Sequence, residues 1–153
     1  MRFRHTLATL SALVLLTSCG GEGKESFTFV KEDDDLGKKI EAEWRAVPGV
    51  AEARYEYTHS IDSSGIGLEA ALKPETASDE LVQELVEIAK KNYWQSTTTV
   101  ALAAGIVKGE VIPPKPVTDK SIIMFNGPIK IDKYDEAQVA ELNQKYGPRP
   151  TKK

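Results

Sequence analysis

Side chains able to do acid, base or nucleophilic chemistry are scarce in this 153-residue chain. Its two histidines are His5 and His59, and its one cysteine is Cys19. His59 opens the run His59-Ser60-Ile61-Asp62-Ser63-Ser64-Gly65, which contains the residue types of a hydrolase triad. A triad needs an imidazole oriented by a carboxylate and donors for an oxyanion, and a short polar run ending in glycine signals neither. The same composition suits a loop between two strands, so the imidazole is expected in solvent and no catalytic residue is assigned. Glu32-Asp33-Asp34-Asp35 offers carboxylates to a hard cation but lacks the alternate spacing and internal glycine of a calcium loop. An acidic run fits the positive end of a helix dipole instead. Gly65-Ile66-Gly67 opens a strand with no helix close behind, which is the wrong context for a dinucleotide fingerprint. No metal site and no cofactor are expected, and Lys38-Lys39, Lys90-Lys91 and Lys152-Lys153 read as solubilising pairs.

The aromatic residues remain. Tyr55 and Tyr57 share one side of an alternating segment, and Trp44, Tyr93 and Trp94 fall near the ends of helical patterns. They either fill the core or, on a sheet face without helices, form a binding surface. Lys and Arg number 20 against 23 Asp and Glu, a net charge of -3. That charge is too small, and of the wrong sign, for nucleic acid as the main partner.

The N-terminus is more specific. Arg2, Arg4 and His5 precede Leu7 to Leu16, a stretch whose only polar residues are Thr9 and Ser11. A spanning helix needs about 20 apolar residues, so this stretch has the length of a signal-peptide core. It runs into Leu16-Thr17-Ser18-Cys19, which resembles the lipobox of bacterial lipoproteins: an aliphatic residue, two small ones, then cysteine. The resemblance implies that the Cys19 sulfur receives a diacylglyceryl group, that residues 1–18 are cut away, and that the new amine is acylated too. Cys19 would then be the lipid attachment site of a membrane-anchored protein on the extracytoplasmic side, in the cell membrane or the outer membrane. Each buried acyl methylene contributes about 0.8 kcal/mol, so two or three chains hold far more firmly than one. Losing Arg2 and Arg4 with the signal takes the charge from -3 to -5, and such a domain faces water rather than anionic lipid. With no second cysteine there is no intramolecular disulfide, and stability must come from a core.

The remaining pattern divides the chain. Residues 19–25 read as the lipidated cysteine and a flexible tether. Ser26 to Val30 alternates like a short strand, and Leu36, Ile40, Trp44 and Val47 then mark a helix capped by the Asp run and stopped at Pro48-Gly49. Val50 to Thr58 and Ile66 to Leu72 alternate as strands. Leu81, Val82, Leu85, Val86, Ala89 and Tyr93 form a helical stripe after Thr76 or Ser78 as cap, and Thr97 to Leu102 reads as another strand. The sequence therefore predicts an α+β fold over residues 26–112, a ferredoxin-like βαββαβ sandwich with helices on one face of an antiparallel sheet. The Val47-Pro48-Gly49-Val50 junction resembles that of BON and heavy-metal-associated domains, but the CxxC that carries metal in the latter is missing. Residues 113–153 read as the connector Pro113-Pro114-Lys115-Pro116, a hairpin turning at Asn126-Gly127, and a helix capped by Asp135 and closed by Gly147, all packed on the domain.

These features predict a lipid-anchored envelope protein whose small non-enzymatic domain binds another envelope protein or a cell-wall component. A ring-forming or secretion-assembly lipoprotein is the alternative, because αββαβ modules also occur in lipoproteins of that kind. A small extracytoplasmic hydrolase comes third, since the mature chain has one histidine and no free thiol.

Overall fold

Helix α1 runs Gly23–Ala46, followed by strands β1 (Val50–His59) and β2 (Ser64–Leu72), helix α2 (Asp79–Trp94), strands β3 (Ala101–Lys108) and β4 (Ile123–Pro128), and helix α3 (Glu136–Tyr146). This computed structural model describes residues 23–60 and 63–151, with side chains from Lys31 onward. The signal segment, the lipobox and Cys19 lie outside the described residues, as do Ile61 and Asp62. The fold is α+β. One sheet has the order β1-β2-β3-β4, with α1 and α2 together on one of its faces.

The helical stripes bury as their period requires. Leu36, Ile40 and Trp44 from α1, with Val47 just past its end, meet Leu81, Val82, Leu85, Val86, Ala89 and Tyr93 from α2 over Ile66, Leu68, Ala70, Leu72, Leu102 and Ile106 of the sheet. Each large apolar side chain so buried contributes about 1.5–3 kcal/mol. The Trp44 indole N–H donates to the Leu85 carbonyl at 2.9 Å, which removes the one polar cost of its complete burial. Ser78 caps α2 by accepting from the Leu81 N–H at 3.3 Å. The Pro48-Gly49 turn needs glycine twice over. Gly49 has φ +96°, and a Cβ there would stand 2.7 Å from the Thr76 hydroxyl.

Four expectations are corrected. Residues 26–30 form no leading strand but belong to α1, which also takes in residues 23–25 of the expected tether. Extending a helix already anchored by Leu36, Ile40 and Trp44 adds one hydrogen bond per residue fixed. With that strand missing, the βαβ unit closes: β2 pairs directly with β3, and they are parallel, so the sheet is mixed rather than antiparallel. The third strand begins at Ala101 and not at Thr97, because the threonine hydroxyls bond elsewhere. Thr97 donates to Glu32 at 3.1 Å, and the Thr98 hydroxyl accepts from the Val100 N–H at 3.1 Å. No hairpin forms in the last third. Asn126 and Gly127 lie within β4, opposite Gly105 and Ala104, and Gly127 lacks the positive φ that a tight hairpin turn requires. The sheet edge left free by β3 gives this segment a longer partner than its own five-residue return. The final helix does form, with Asp135 capping Ala137 and Gln138, and with Gly147 at its end.

Candidate functional site

The register lays out the sheet face away from the helices in four rows. Thr58, Gly65 and Ala101 form the first, and Glu56, Gly67, Ala103 and Pro128 the second. Arg54, Glu69, Gly105 and Asn126 make the third, and Glu52, Ala71, Val107 and Ile123 the last. Alternation along each strand puts these residues together, since every partner of an outward residue is also outward. The middle of the face is therefore floored by glycine and alanine, and its flank on β1 is charged.

The proline-rich segment crosses this face as a strap. It leaves β3 with the Gly109 N–H donating to the Leu72 carbonyl at 2.8 Å. The Ile112 N–H then donates to the Glu52 carboxylate at 2.7 Å, and the Lys115 ammonium lies 3.0 Å from Glu69 and 3.6 Å from Glu56. Asp119 caps the turn Lys120–Ile122 that delivers the chain into β4. Between strap and sheet lies a groove of about 610 Å³. Its floor includes Gly105 and Val107, its roof Ile112, Pro113 and Pro116, and its far wall Ile123 and Phe125. Glu69, Lys115 and Asn126 are the polar groups along it.

Glu69 organises the polar end. One of its oxygens accepts from the Arg54 guanidinium at 2.6 Å and the other meets Lys115. Burial opposes its ionisation, but the bonds from Arg54 and Lys115 outweigh that and hold the carboxyl below its ordinary value. The same contact, led by the Glu69 hydrogen bond, raises Lys115 above its own. Glu56 is the loosest member of the cluster. Its side chain is 68% exposed, and it shares Lys115 with a closer carboxylate.

The other sequence candidates are distributed elsewhere. His59 ends β1, exposed, with its ring 6.3 Å from that of Tyr57. Its neighbour Ser60 bonds to Ser63 across the turn, and no oriented base and nucleophile come together there among the described residues. Asp33, Asp34 and Asp35 lie inside α1 rather than at its start, which corrects the capping role. Asp34 accepts from Lys38 at 2.5 Å and from the Tyr55 hydroxyl at 2.8 Å, contacts that lower its carboxyl, Lys38 first. The Tyr57 hydroxyl reaches Asp33 at 3.3 Å, and burial raises both phenols. Gly37 makes this packing possible, because a Cβ there would stand 2.4 Å from the Tyr55 ring. Tyr55 and Tyr57 thus join the sheet to α1 and leave the open face to smaller residues. Trp44, Tyr93 and Trp94 are buried. Arg149 lies over the Tyr93 and Trp94 rings at 5.1 and 5.5 Å and donates to the Ser96 and Thr98 carbonyls, so it fastens the tail onto α2. Among the described residues, no group of three or more His, Cys, Asp or Glu could hold a metal ion, and no helix is long and apolar enough to cross a membrane.

Set against protein-family models, curated proteins and solved structures, the chain matches none. Sequence reading missed Arg54, Glu69, Gly105, Lys115 and Asn126 as one site. The available signal was the alternation of charge along Glu52-Arg54-Glu56 on a strand whose other side is apolar. It marks a face that is neither core nor bare, but what faces it only the pairing supplies.

Proposed function

We propose that this chain is a lipid-anchored envelope protein, held by an acylated Cys19 on the extracytoplasmic side of the cell membrane or outer membrane. Its α+β domain binds a ligand without transforming it, and the binding site is the groove under the strap. The carrying observation is that groove: about 610 Å³, walled mainly by aliphatic and proline groups, with Glu69, Lys115 and Asn126 as its polar groups. That composition is the usual one for a recognition site, where apolar area supplies affinity and few polar groups set orientation. The ligand comes from the envelope, as part of another envelope protein or of a cell-wall component.

The test has two arms. Cys19→Ala should abolish incorporation of labelled lipid and the acyl mass on the mature chain. An unmodified Cys19 in the mature wild-type protein refutes the anchor. Binding of the neutral apolar dye N-phenyl-1-naphthylamine should saturate at one site per chain, and its absence refutes the groove.

One observation favours a second reading, a ring-forming or secretion-assembly lipoprotein. The order α1-β1-β2-α2-β3 is the αββαβ order of modules in such lipoproteins. In these terms the core is a ferredoxin-like plan that has lost its leading strand and closed the gap. Cross-linking the membrane-anchored form separates the two: a ladder of closed oligomers supports the ring, and a monomer the binding module.

A further inference from the structure

We infer that two copies of this chain associate through the free edge of β1, strand against antiparallel strand, about a two-fold axis at Tyr55. The inference is independent of the groove, whose lining includes no residue of β1. β1 is an outer strand of the sheet. Successive residues of such a strand turn their N–H and C=O groups to opposite sides. Ser60, just past its end, donates its N–H to the Ser63 carbonyl across the turn, so the even-numbered residues face β2. Ala53, of the other set, gives its carbonyl to the Arg45 side chain at 2.9 Å. Tyr55, Tyr57 and His59 share that set, and their backbone groups point out of the sheet along a ladder unbroken from Glu52 onward. Edge strands are ordinarily blunted by lysine, proline or a bulge. Val50–His59 contains neither lysine nor proline, and its one register shift lies at its start, between Val50 and Glu52. The opposite edge strand, β4, ends in Pro128, which has no N–H to offer.

Charge then selects the register. The outer side of β1 carries Glu52, Arg54 and Glu56 in alternation. With Tyr55 opposite its own counterpart, Arg54 of each copy stands opposite Glu56 of the other, twice over by symmetry. A slide of two residues one way sets Arg54 against Arg54, and the other way Glu56 against Glu56. Opposite charges across a ladder stabilise it and like charges destabilise it, so both slides are disfavoured. A slide of four pairs Arg54 with Glu52, but it draws the bulge into the ladder and needs a carboxylate already held by the Ile112 N–H. Both members of the selected pair have capacity to spare. Glu56 is 68% exposed and shares Lys115 with a nearer carboxylate, and Arg54 holds Glu69 through Nε, which leaves its terminal nitrogens for a second partner. The Ala53 oxygen has two lone pairs, so Arg45 does not bar it from the ladder.

The experiment is sedimentation equilibrium of the full chain in density-matched detergent, with wild type, Arg54→Glu and Glu56→Arg. Wild type should reach two copies and stop there, because each β1 edge is used up by the other. Either variant alone places like charges opposite at both pairs, and its dimer should dissociate at about tenfold or more higher concentration. An equimolar mixture of the two variants restores an attraction at both pairs and should associate as wild type does. Thermal melts establish that each variant is folded. If Arg54→Glu fails to fold for want of its bond to Glu69, Glu56→Arg carries the test alone, since it changes an exposed side chain. A wild type that stays monomeric, a ladder beyond two, a folded variant that dimerises like wild type, or a mixture of folded variants that does not recover overturns the inference and leaves the groove reading untouched.

Discussion

Gly105 separates binding from folding in a single substitution. It lies in β3 between Glu69 on β2 and Asn126 on β4, in the middle of the groove floor. A Cβ built there meets no atom within 4 Å, and its φ is not in the left-handed region. Gly105→Val therefore adds a side chain into open space without backbone strain. Glycine inside a strand costs roughly 0.5–1 kcal/mol relative to alanine, and a β-branched residue suits an extended backbone better still. Nothing in the surroundings opposes that gain, so the variant should be more stable by about 1 kcal/mol. With a urea slope of about 1–3 kcal/mol/M, the midpoint should rise by roughly 0.3–1 M.

The same isopropyl group occupies the floor on which a ligand would lie. Binding of N-phenyl-1-naphthylamine should fall by about tenfold or more while the protein gains stability, a pairing that general damage to the fold cannot produce. A loss of more than about 1 kcal/mol would mean that the floor is closed by packing, as in overfilled cores, and would refute the open groove. Greater stability with unchanged binding would refute the groove as the site.

Leu85 is fully buried at the centre of the α2 stripe, so Leu85→Ala should cost about 2–5 kcal/mol in urea titration. Glu69→Gln removes a carboxylate that folding holds below its ordinary value; the wild-type contribution is present above about pH 4.5 and fades as acid protonates the folded group. The variant should thus be less stable than wild type at pH 7, by about 1–3 kcal/mol, and the gap should close as the pH falls below 4 in thermal melts. Arg149→Ala should loosen the tail and cost about 1–3 kcal/mol, and Arg149→Lys should not restore it, because an ammonium cannot both stack on Tyr93 and Trp94 and bond the carbonyls of Ser96 and Thr98.

The parts of the fold that the sequence makes legible are those fixed by local period. Leu81, Leu85 and Ala89 repeat at helical spacing and Ile66, Leu68 and Ala70 at strand spacing, and each set is buried on the side its period gives. Caps are legible for the same reason, since Ser78 and Asp135 act on N–H groups two or three residues away. What escaped depends on competition between distant partners. Five residues at 26–30 alternate like a strand, yet they continue the helix that Leu36, Ile40 and Trp44 anchor. Asn126-Gly127 is a sound hairpin signal that lost to the longer ladder on β3. The site is harder again, because residues 54, 69, 105, 115 and 126 share no local pattern and meet only through the register and the strap.

The first of these misses also bears on the site. In the ferredoxin-like order, the leading strand separates the two strands of the second βαβ unit. Here α1 absorbs that segment, and β2 and β3 come together directly with Glu69 opposite Gly105 and Gly67 opposite Ala103. A long carboxylate side chain then stands beside a position with no side chain, which leaves a hollow next to a charge. Direct pairing of β2 with β3 also brings β1, with Arg54 and Glu56, within reach of a strap that starts at the end of β3, so Lys115 on that strap reaches Glu56 and Glu69. Had a strand stood between β2 and β3, the hollow and the charges would lie about 4.8 Å further apart and Lys115 could not close the groove at that end. Direct pairing of β2 with β3 thus puts Glu69 and Lys115 beside the open floor at Gly105.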